Sequence, residues 1–140
     1  MVSPGRVVVS LCAYNEHDNL AELIPEIRRI VPAADVVVID DNSPDGTADL
    51  VRDFAARDPQ VHLLSRSGKL GLGTATIEAF RFARDRGFDW LLNLDADCSH
   101  PPRFIPSLLA ATSEADVVIG SRYVPGGKIP DWPAHRRLMS

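Results

Sequence analysis

The stretch Trp90-Leu91-Leu92-Asn93-Leu94-Asp95-Ala96-Asp97-Cys98-Ser99-His100-Pro101-Pro102 decides the fold. Its apolar opening is too short for a core helix, which predicts a buried strand over 90–94 that stops where two carboxylates appear. Two anions one residue apart repel each other and lose hydration on burial, so Asp95-x-Asp97 at the mouth of a sheet calls for a cation or hydrogen-bond donors. Pro101 and Pro102 then open a helix, because proline is tolerated in a first turn whose amides have no partner anyway. Taken alone, such a pair is more often two solvated loop acids than a metal site, since acids are common in loops. The rest of the chain shifts that balance.

Upstream, 6–12 and 35–39 are β-branched and apolar, the pattern of strands buried on both faces of a parallel sheet, and 61–64 reads as a third strand. Leu20, Leu23, Ile24, Ile27 and Ile30 follow helical spacing, with Asn15 or Asp18 as caps, and Pro25 predicts a kink or a loosely wound first turn. A second helix, capped by Thr47 or Asp45, is expected through about Ala56 with Val51, Phe54 and Ala55 inward. A third is expected to bury Leu72, Ala75, Ala79, Phe80 and Ala83, and a fourth Phe104, Leu108 and Leu109. Segment 116–120 reads as a fifth strand, and the prolines and glycines from Tyr123 onward preclude regular structure until a helix start near His135. Five strands alternating with four helices predict an open α/β sheet, in which ligands bind beyond the carboxyl ends of the strands.

Three of those ends carry Tyr14-Asn15-Glu16, Asp40-Asp41 and Asp95-x-Asp97. An acidic cluster with the basic, glycine-containing loop Arg66-Ser67-Gly68-Lys69-Leu70-Gly71-Leu72-Gly73 nearby fits a divalent metal plus a diphosphate ligand. A dinucleotide-binding dehydrogenase is disfavoured, because the turn after the first strand has no glycine where G-x-G-x-x-G belongs. Composition is that of a globular chain: 140 residues, 45% hydrophobic and 24% charged, with no membrane span or signal peptide and no nucleic-acid partner expected. Two cysteines, Cys12 and Cys98, do not make a disulfide framework and are expected as reduced thiols. Residues 1–121 carry 11 Lys+Arg against 18 Asp+Glu, a balance of −7, whereas 122–140 carry Arg122, Lys128, Arg136 and Arg137 against Asp131, a balance of +3. A basic tail after an acidic domain suits an anionic partner.

With A-Y-N-E, D-D-N-S-P-D-G-T, R-S-G-K-L-G-L-G-T-A, D-A-D-C-S-H-P-P, G-S-R-Y-V-P-G-G and W-P-A-H-R-R in this order, the chain resembles the inverting family-2 glycosyltransferases of GT-A fold. Within them it is similar to the dolichyl-phosphate or polyprenyl-phosphate mannosyltransferases. The resemblance implies a Rossmann-like open sheet of mostly parallel strands with helices on both faces, ordered 3-2-1-4 for the first four strands. It implies a nucleotide-sugar-binding domain over 1–121 and an incomplete acceptor-side segment over 122–140, so the chain looks like the donor half of a longer protein. By the same resemblance Ala13, Tyr14, Glu16, Asp40, Asp41, Lys69, Asp95 and Ala96 line the nucleotide site. Asp95 and Asp97 hold Mg²⁺ or Mn²⁺, with Ser99 a weak or water-mediated ligand where some relatives carry Gln. Asp95, Asp97, Arg122 and Arg136 serve catalysis, the two arginines meeting phosphates. Ala13, standing where relatives often carry Thr, offers the nucleotide no hydroxyl.

The implied reaction moves mannose from GDP-mannose to a polyprenyl (dolichyl) phosphate with inversion. The acceptor monoester, with a second pKa of about 6, is already mostly anionic, so no histidine has to act as base. The lipid acceptor implies a membrane surface and a cytoplasmic, peripheral location. A UDP-sugar enzyme of the same fold and a non-catalytic nucleotide-binding fragment stand as alternatives. A phosphatase of the haloacid dehalogenase kind would need its nucleophilic Asp after the first strand, where this chain has Tyr14-Asn15-Glu16.

Overall fold

A computed structural model describes residues 5–128. The chain runs β1 (Val7–Ala13), α1 (His17–Ile30), β2 (Asp35–Asp40), α2 (Thr47–Arg57), β3 (Val61–Ser65), α3 (Leu72–Asp85), β4 (Trp90–Asp95), one 3₁₀ turn (Pro102–Phe104) and α4 (Ile105–Ala111). All strand pairs are parallel and the sheet is ordered β3-β2-β1-β4, the order that the family resemblance implies. Every crossover returns the chain to the same end of the sheet, so all four carboxyl ends share one edge.

Alternation along the strands divides the core. Val7, Val9, Leu11, Val36 and Val38 pack against Leu20, Leu23, Ile24, Ile27 and Val51 of α1 and α2, while Val8, Val37 and Ile39 pack against Ala75, Ala79, Phe82 and Ala83 of α3. Strands covered on both faces need apolar residues on both, which is why β1 and β2 are apolar apart from Ser10 and the terminal Asp35 and Asp40. Within β1, Ser10 is buried and donates to Asn93 Oδ1 at 2.9 Å, across the register pair it forms with β4.

Several expectations are corrected. Segment 116–120 forms no ladder among the described residues, and Val117 and Ile119 are 74% and 82% exposed; a run of β-branched residues becomes a strand only where a partner accepts its hydrogen bonds. β4 is therefore the edge of the described sheet, and Trp90, Leu91 and Leu92 are only partly buried. On α3 the inward aromatic is Phe82, whereas Leu72 and Phe80 point outward. Ile105 of α4 is buried, whereas Phe104, in the 3₁₀ turn before it, is exposed. α1 continues through Pro25, which lies on the exposed face, so the hydrogen bond its ring removes is missing on the side facing water. His62, expected at the surface, is 17% exposed and sits 2.7 Å from Asp35.

Candidate functional site

The order β3-β2-β1-β4 sends the chain from β1 first to one side and later to the other, which opens a crevice beyond the ends of β1 and β4. Register pairs Ala13 with Asp40 and Cys12 with Asp95, so the turns after β1, β2 and β4 adjoin. The Asp41 amide donates to the Ala13 carbonyl at 3.1 Å, extending that junction one residue past the strands. Beside it the turn reverses at Asn15, whose φ of 58° suits asparagine's tolerance of left-handed backbone.

The two neighbouring acids Asp40 and Asp41 do different things. Asp40 is 1% exposed and both its oxygens accept from Ser43, one from the amide and one from the hydroxyl. It shapes the loop 40–47. Asp41 is gripped by Arg66, with Nε 2.6 Å from Oδ1 and Nη2 2.8 Å from Oδ2. The side chains of both partners are 9% exposed. The same guanidinium donates to Thr74 Oγ1 at 2.6 Å and to the Gly71 carbonyl at 3.1 Å, tying the end of β2 to the start of α3. Lys69 of this loop lies with Nζ 4.4 Å from the centre of the Tyr14 ring, a cation–π contact over a ring that is 39% exposed.

At the end of β4, the Ser99 hydroxyl and amide hydrogen-bond Asp97, the amide at 3.0 Å, and hold its carboxyl below the usual carboxylate range. Ser99 thus serves as a donor to Asp97. The Asp95 amide donates to Nδ1 of His100 at 3.2 Å, and Nε2 of that ring lies 3.9 Å from Asp95 Oδ2. Accepting at Nδ1 leaves the proton of a neutral ring on Nε2, toward the carboxylate. Ala96 between the acids is buried. Burial raises the Cys12 thiol pKa, a hydrogen bond to Thr76 opposes this, and the charges of Asp41, Arg66 and Asp95 all act on the thiol. Cys12 and Cys98 are both free.

Glu16 turns its Oε2 to Asn19 at 2.6 Å, at the start of α1. The sequence reading did not foresee how that start is held: the amides of Asn15, Glu16 and His17 donate to Ser43, Thr47 and Asp45 from the loop after β2. Those donors span 28 or 31 positions of sequence, so local spacing carries no signal for them. Arg122 lies in a turn beyond α4, and Arg136 falls outside the described residues.

Among the described residues no three His, Cys, Asp or Glu side chains form a ready cage for a metal. Asp95 and Asp97 still fit Mg²⁺ or Mn²⁺: hard cations of this kind are commonly held by one or two carboxylates, the remaining positions going to substrate phosphates and water. Donors that keep Asp97 ionised favour such a site.

Comparison with known proteins places this edge in context. The chain is 49% identical over 135 residues to an undecaprenyl-phosphate mannosyltransferase of Micrococcus luteus, covering 96% of this chain and 56% of that protein. It is 41% identical over 137 residues to the polyprenol monophosphomannose synthase of Mycolicibacterium smegmatis, covering 96% and 52%. The chain thus spans about half the length of these curated relatives. Among solved structures it superposes on the mannosyltransferase PcManGT from Pyrobaculum calidifontis, in complex with GDP-Man and Mn²⁺, with TM-score 0.62 and 28% identity over 79% of this chain and 32% of that one. Glucosyl-3-phosphoglycerate synthase from Mycobacterium tuberculosis shares the fold at TM-score 0.60 and 24% identity, over 77% and 39%. The model of glycosyl transferase family 2 matches residues 8–139, a span that takes in all four strand ends, and the chain belongs to that family.

Proposed function

We propose that this chain supplies the donor site of a metal-dependent mannosyltransferase, which moves mannose from GDP-mannose to a polyprenyl phosphate with inversion. The observation that carries the reading is the meeting of the Tyr14, Asp41 and Asp95–Asp97 turns at the switch point of the sheet. The mannosyltransferases among its relatives support the sugar and the acceptor, and the GDP-Man complex of the archaeal neighbour supports the nucleotide.

In this reading Tyr14 offers an aromatic face to the nucleoside and Asp41, fixed by Arg66, offers an oriented carboxylate to its polar edge. Asp95 and Asp97 would hold the divalent ion, which when bound neutralises charge growing on the departing diphosphate. Ser99 keeps Asp97 anionic, and Lys69, over the Tyr14 ring, is assigned as a cation for the diphosphate. A phosphate oxygen of the acceptor attacks the anomeric carbon from the face opposite the nucleotide. The bond from that carbon to the β-phosphate oxygen breaks, GDP leaves with the electron pair, and the sugar's configuration inverts. The protein's work is to bring two anions together in line, a task of positioning and charge compensation. Arg122 and Arg136 are assigned to the acceptor phosphate.

Titration of GDP, UDP and GDP-mannose into the chain by calorimetry, with and without Mn²⁺, tests the donor half. Metal-dependent binding of the guanine nucleotides and at least tenfold weaker UDP is expected. Equal affinity for GDP and UDP, or binding indifferent to Mn²⁺, would sink the proposal. Transfer of labelled mannose to a short polyprenyl phosphate tests the reaction.

A further inference from the structure

The pleat that puts residues i and i+2 of a strand on one face stops at Asp95, because residues 96 and 97 already form a turn. Strand geometry therefore does not keep Asp97 beside Asp95. Two carboxylates that are to share one cation also repel each other until it binds, so the loop has to be held by contacts of its own. Ala96 is buried and belongs to the core cluster that includes Leu11 and Leu20. Ser99 donates to Asp97. His100 reaches back across the loop and accepts the Asp95 amide at Nδ1, 3.2 Å away. This last bond closes the loop, joining the end of β4 to the residue five positions on, around Ala96, Asp97, Cys98 and Ser99.

The backbone on either side is set for that bond. Cys98 takes a φ of 63°, in the left-handed region, which reverses the chain. Pro101, extended at a φ of −63°, and Pro102, at the start of the 3₁₀ turn, stiffen the segment that carries the ring. Accepting at Nδ1 puts the proton of the neutral ring on Nε2, which lies 3.9 Å from Asp95 Oδ2. That separation is too long for a hydrogen bond, so the ring acts on Asp95 through its backbone amide and does not tie up Oδ2. We propose that His100 is a positioning residue of the Asp95–Asp97 cation site: as the neutral Nε2–H tautomer it fixes the end of β4 and the turn after it, so that both carboxylates face the same ion. The proposal rests on the reading of Asp95 and Asp97 as the place of Mg²⁺ or Mn²⁺, whereas the bond it is built on belongs to the loop itself. Partners that hold a metal ligand from outside are worth about tenfold to hundredfold in metal affinity. The His100 side chain is 46% exposed, so its removal opens no core cavity.

Binding of Mn²⁺ to the chain in the presence of GDP, read from the paramagnetic resonance of the free ion, tests this, with hydrogen exchange of the Asp95 amide and thermal unfolding followed in parallel. His100→Ala removes the acceptor and should weaken Mn²⁺ binding at least about tenfold, speed exchange at Asp95 and leave the unfolding temperature unchanged. His100→Asn, whose side-chain carbonyl oxygen can take the place of Nδ1, should restore most of the metal affinity and of the protection at Asp95. His100→Gln, whose amide group lies nearer the place of Nε2, should restore neither. In the metal-free wild type, above the usual titration range of histidine, the long-range ¹⁵N spectrum should show His100 protonated at Nε2 and bare at Nδ1. Equal loss in the Asn and Gln variants, or a proton on Nδ1, overturns the proposal. So does an unfolding temperature that falls in step with metal affinity across the variants, for then the ring serves stability. Wild-type protein that binds GDP without regard to Mn²⁺ fails the reading of the site and the proposal with it. Metal-dependent wild-type binding that His100→Ala leaves intact fails the proposal alone.

Discussion

Asp97 and Arg66 stand at opposite extremes of legibility. Asp97 announces itself in Asp95-x-Asp97 at a strand end, and its structural neighbours, Ser99 and His100, lie within three positions of it. Because Asp97 is exposed, Asp97→Ala should leave thermal unfolding unchanged. If it holds the ion, Mn²⁺-dependent GDP affinity should fall by at least the roughly tenfold to hundredfold that loss of an outer-shell partner costs. Unaltered metal dependence in calorimetry would reject the assignment. Arg66 looked from the sequence like one cation of a phosphate-binding loop, and the structure spends it on Asp41, 25 positions away. Removing one member of a buried pair strands the other's charge, so Arg66→Met should lower stability by about 3 kcal/mol. Adding Asp41→Leu should restore a good part of that in urea denaturation, because two apolar side chains leave no orphan charge. A double variant no more stable than Arg66→Met alone would mean that Thr74 and Gly71, not Asp41, are the partners that matter.

Among the elements, α1 shows how a helix can be legible in its face and illegible in its start, whereas Asp45, expected at the start of α2, is found there accepting the Thr47 amide. The periodicity of Leu20, Leu23, Ile24 and Ile27 gave the buried stripe correctly. The cap did not come from Asn15 or Asp18: Asp45 accepts the His17 amide at 3.1 Å and the Thr47 amide at 3.0 Å. Asp45→Ala should therefore destabilise both helix starts, by about 1 kcal/mol as loss of a side-chain cap does. An unchanged melting temperature would show that Ser43 and Thr47 suffice. At the other end of α1, Arg28 Nε lies 2.7 Å from Asp58 Oδ2, just past α2. Burial pushes that carboxyl up, but hydrogen bonds from Arg28 and the Gln60 amide outweigh it and hold its pKa below the ordinary value. A depressed folded pKa contributes stability that is present above the unfolded value of about 3.9 and lost as pH falls through the folded value. Asp58→Asn should thus be less stable than the wild type at neutral pH, by about 1 kcal/mol given partial exposure. The gap should close as pH drops below the usual carboxylate range. A gap independent of pH would point to packing in place of charge.

For the whole molecule, the decisive property is that a parallel sheet segregates its ends. Strands of five to seven residues at about 3.3 Å each hold the two edges roughly 20 Å apart. The network of Arg28, Asp35, Asp58, Gln60 and His62 lies at the starting edge, and the acidic turns lie at the other. Mn²⁺ added with GDP should accordingly broaden the amide resonances of Tyr14, Asp41 and 95–99 while leaving those of Asp35, Asp58 and His62 sharp. Broadening centred on the starting edge would place the ion elsewhere and refute the site.

The amino-acid sequence by itself determined the alternation of elements and the placing of Tyr14, Asp41, Asp95 and Asp97 at strand ends, because periodicity and strand-end acids are local; the order 3-2-1-4, which brings those ends together, was implied by the family resemblance that the motifs carry. It determined equally that β1 and β2 would be covered on both faces. Only the tertiary structure decided that 116–120 stays unpaired, that Phe82 and not Phe80 turns inward, that Asp40 serves Ser43 while Asp41 serves Arg66, and that the loop after β2 caps α1. Each of those outcomes depends on a partner distant along the chain. A side chain's hydrogen-bond donor, a strand's neighbour and the exact rotation of a helix are chosen by which groups the packed sheet brings within about 3 Å, and spacing along the sequence does not encode that distance.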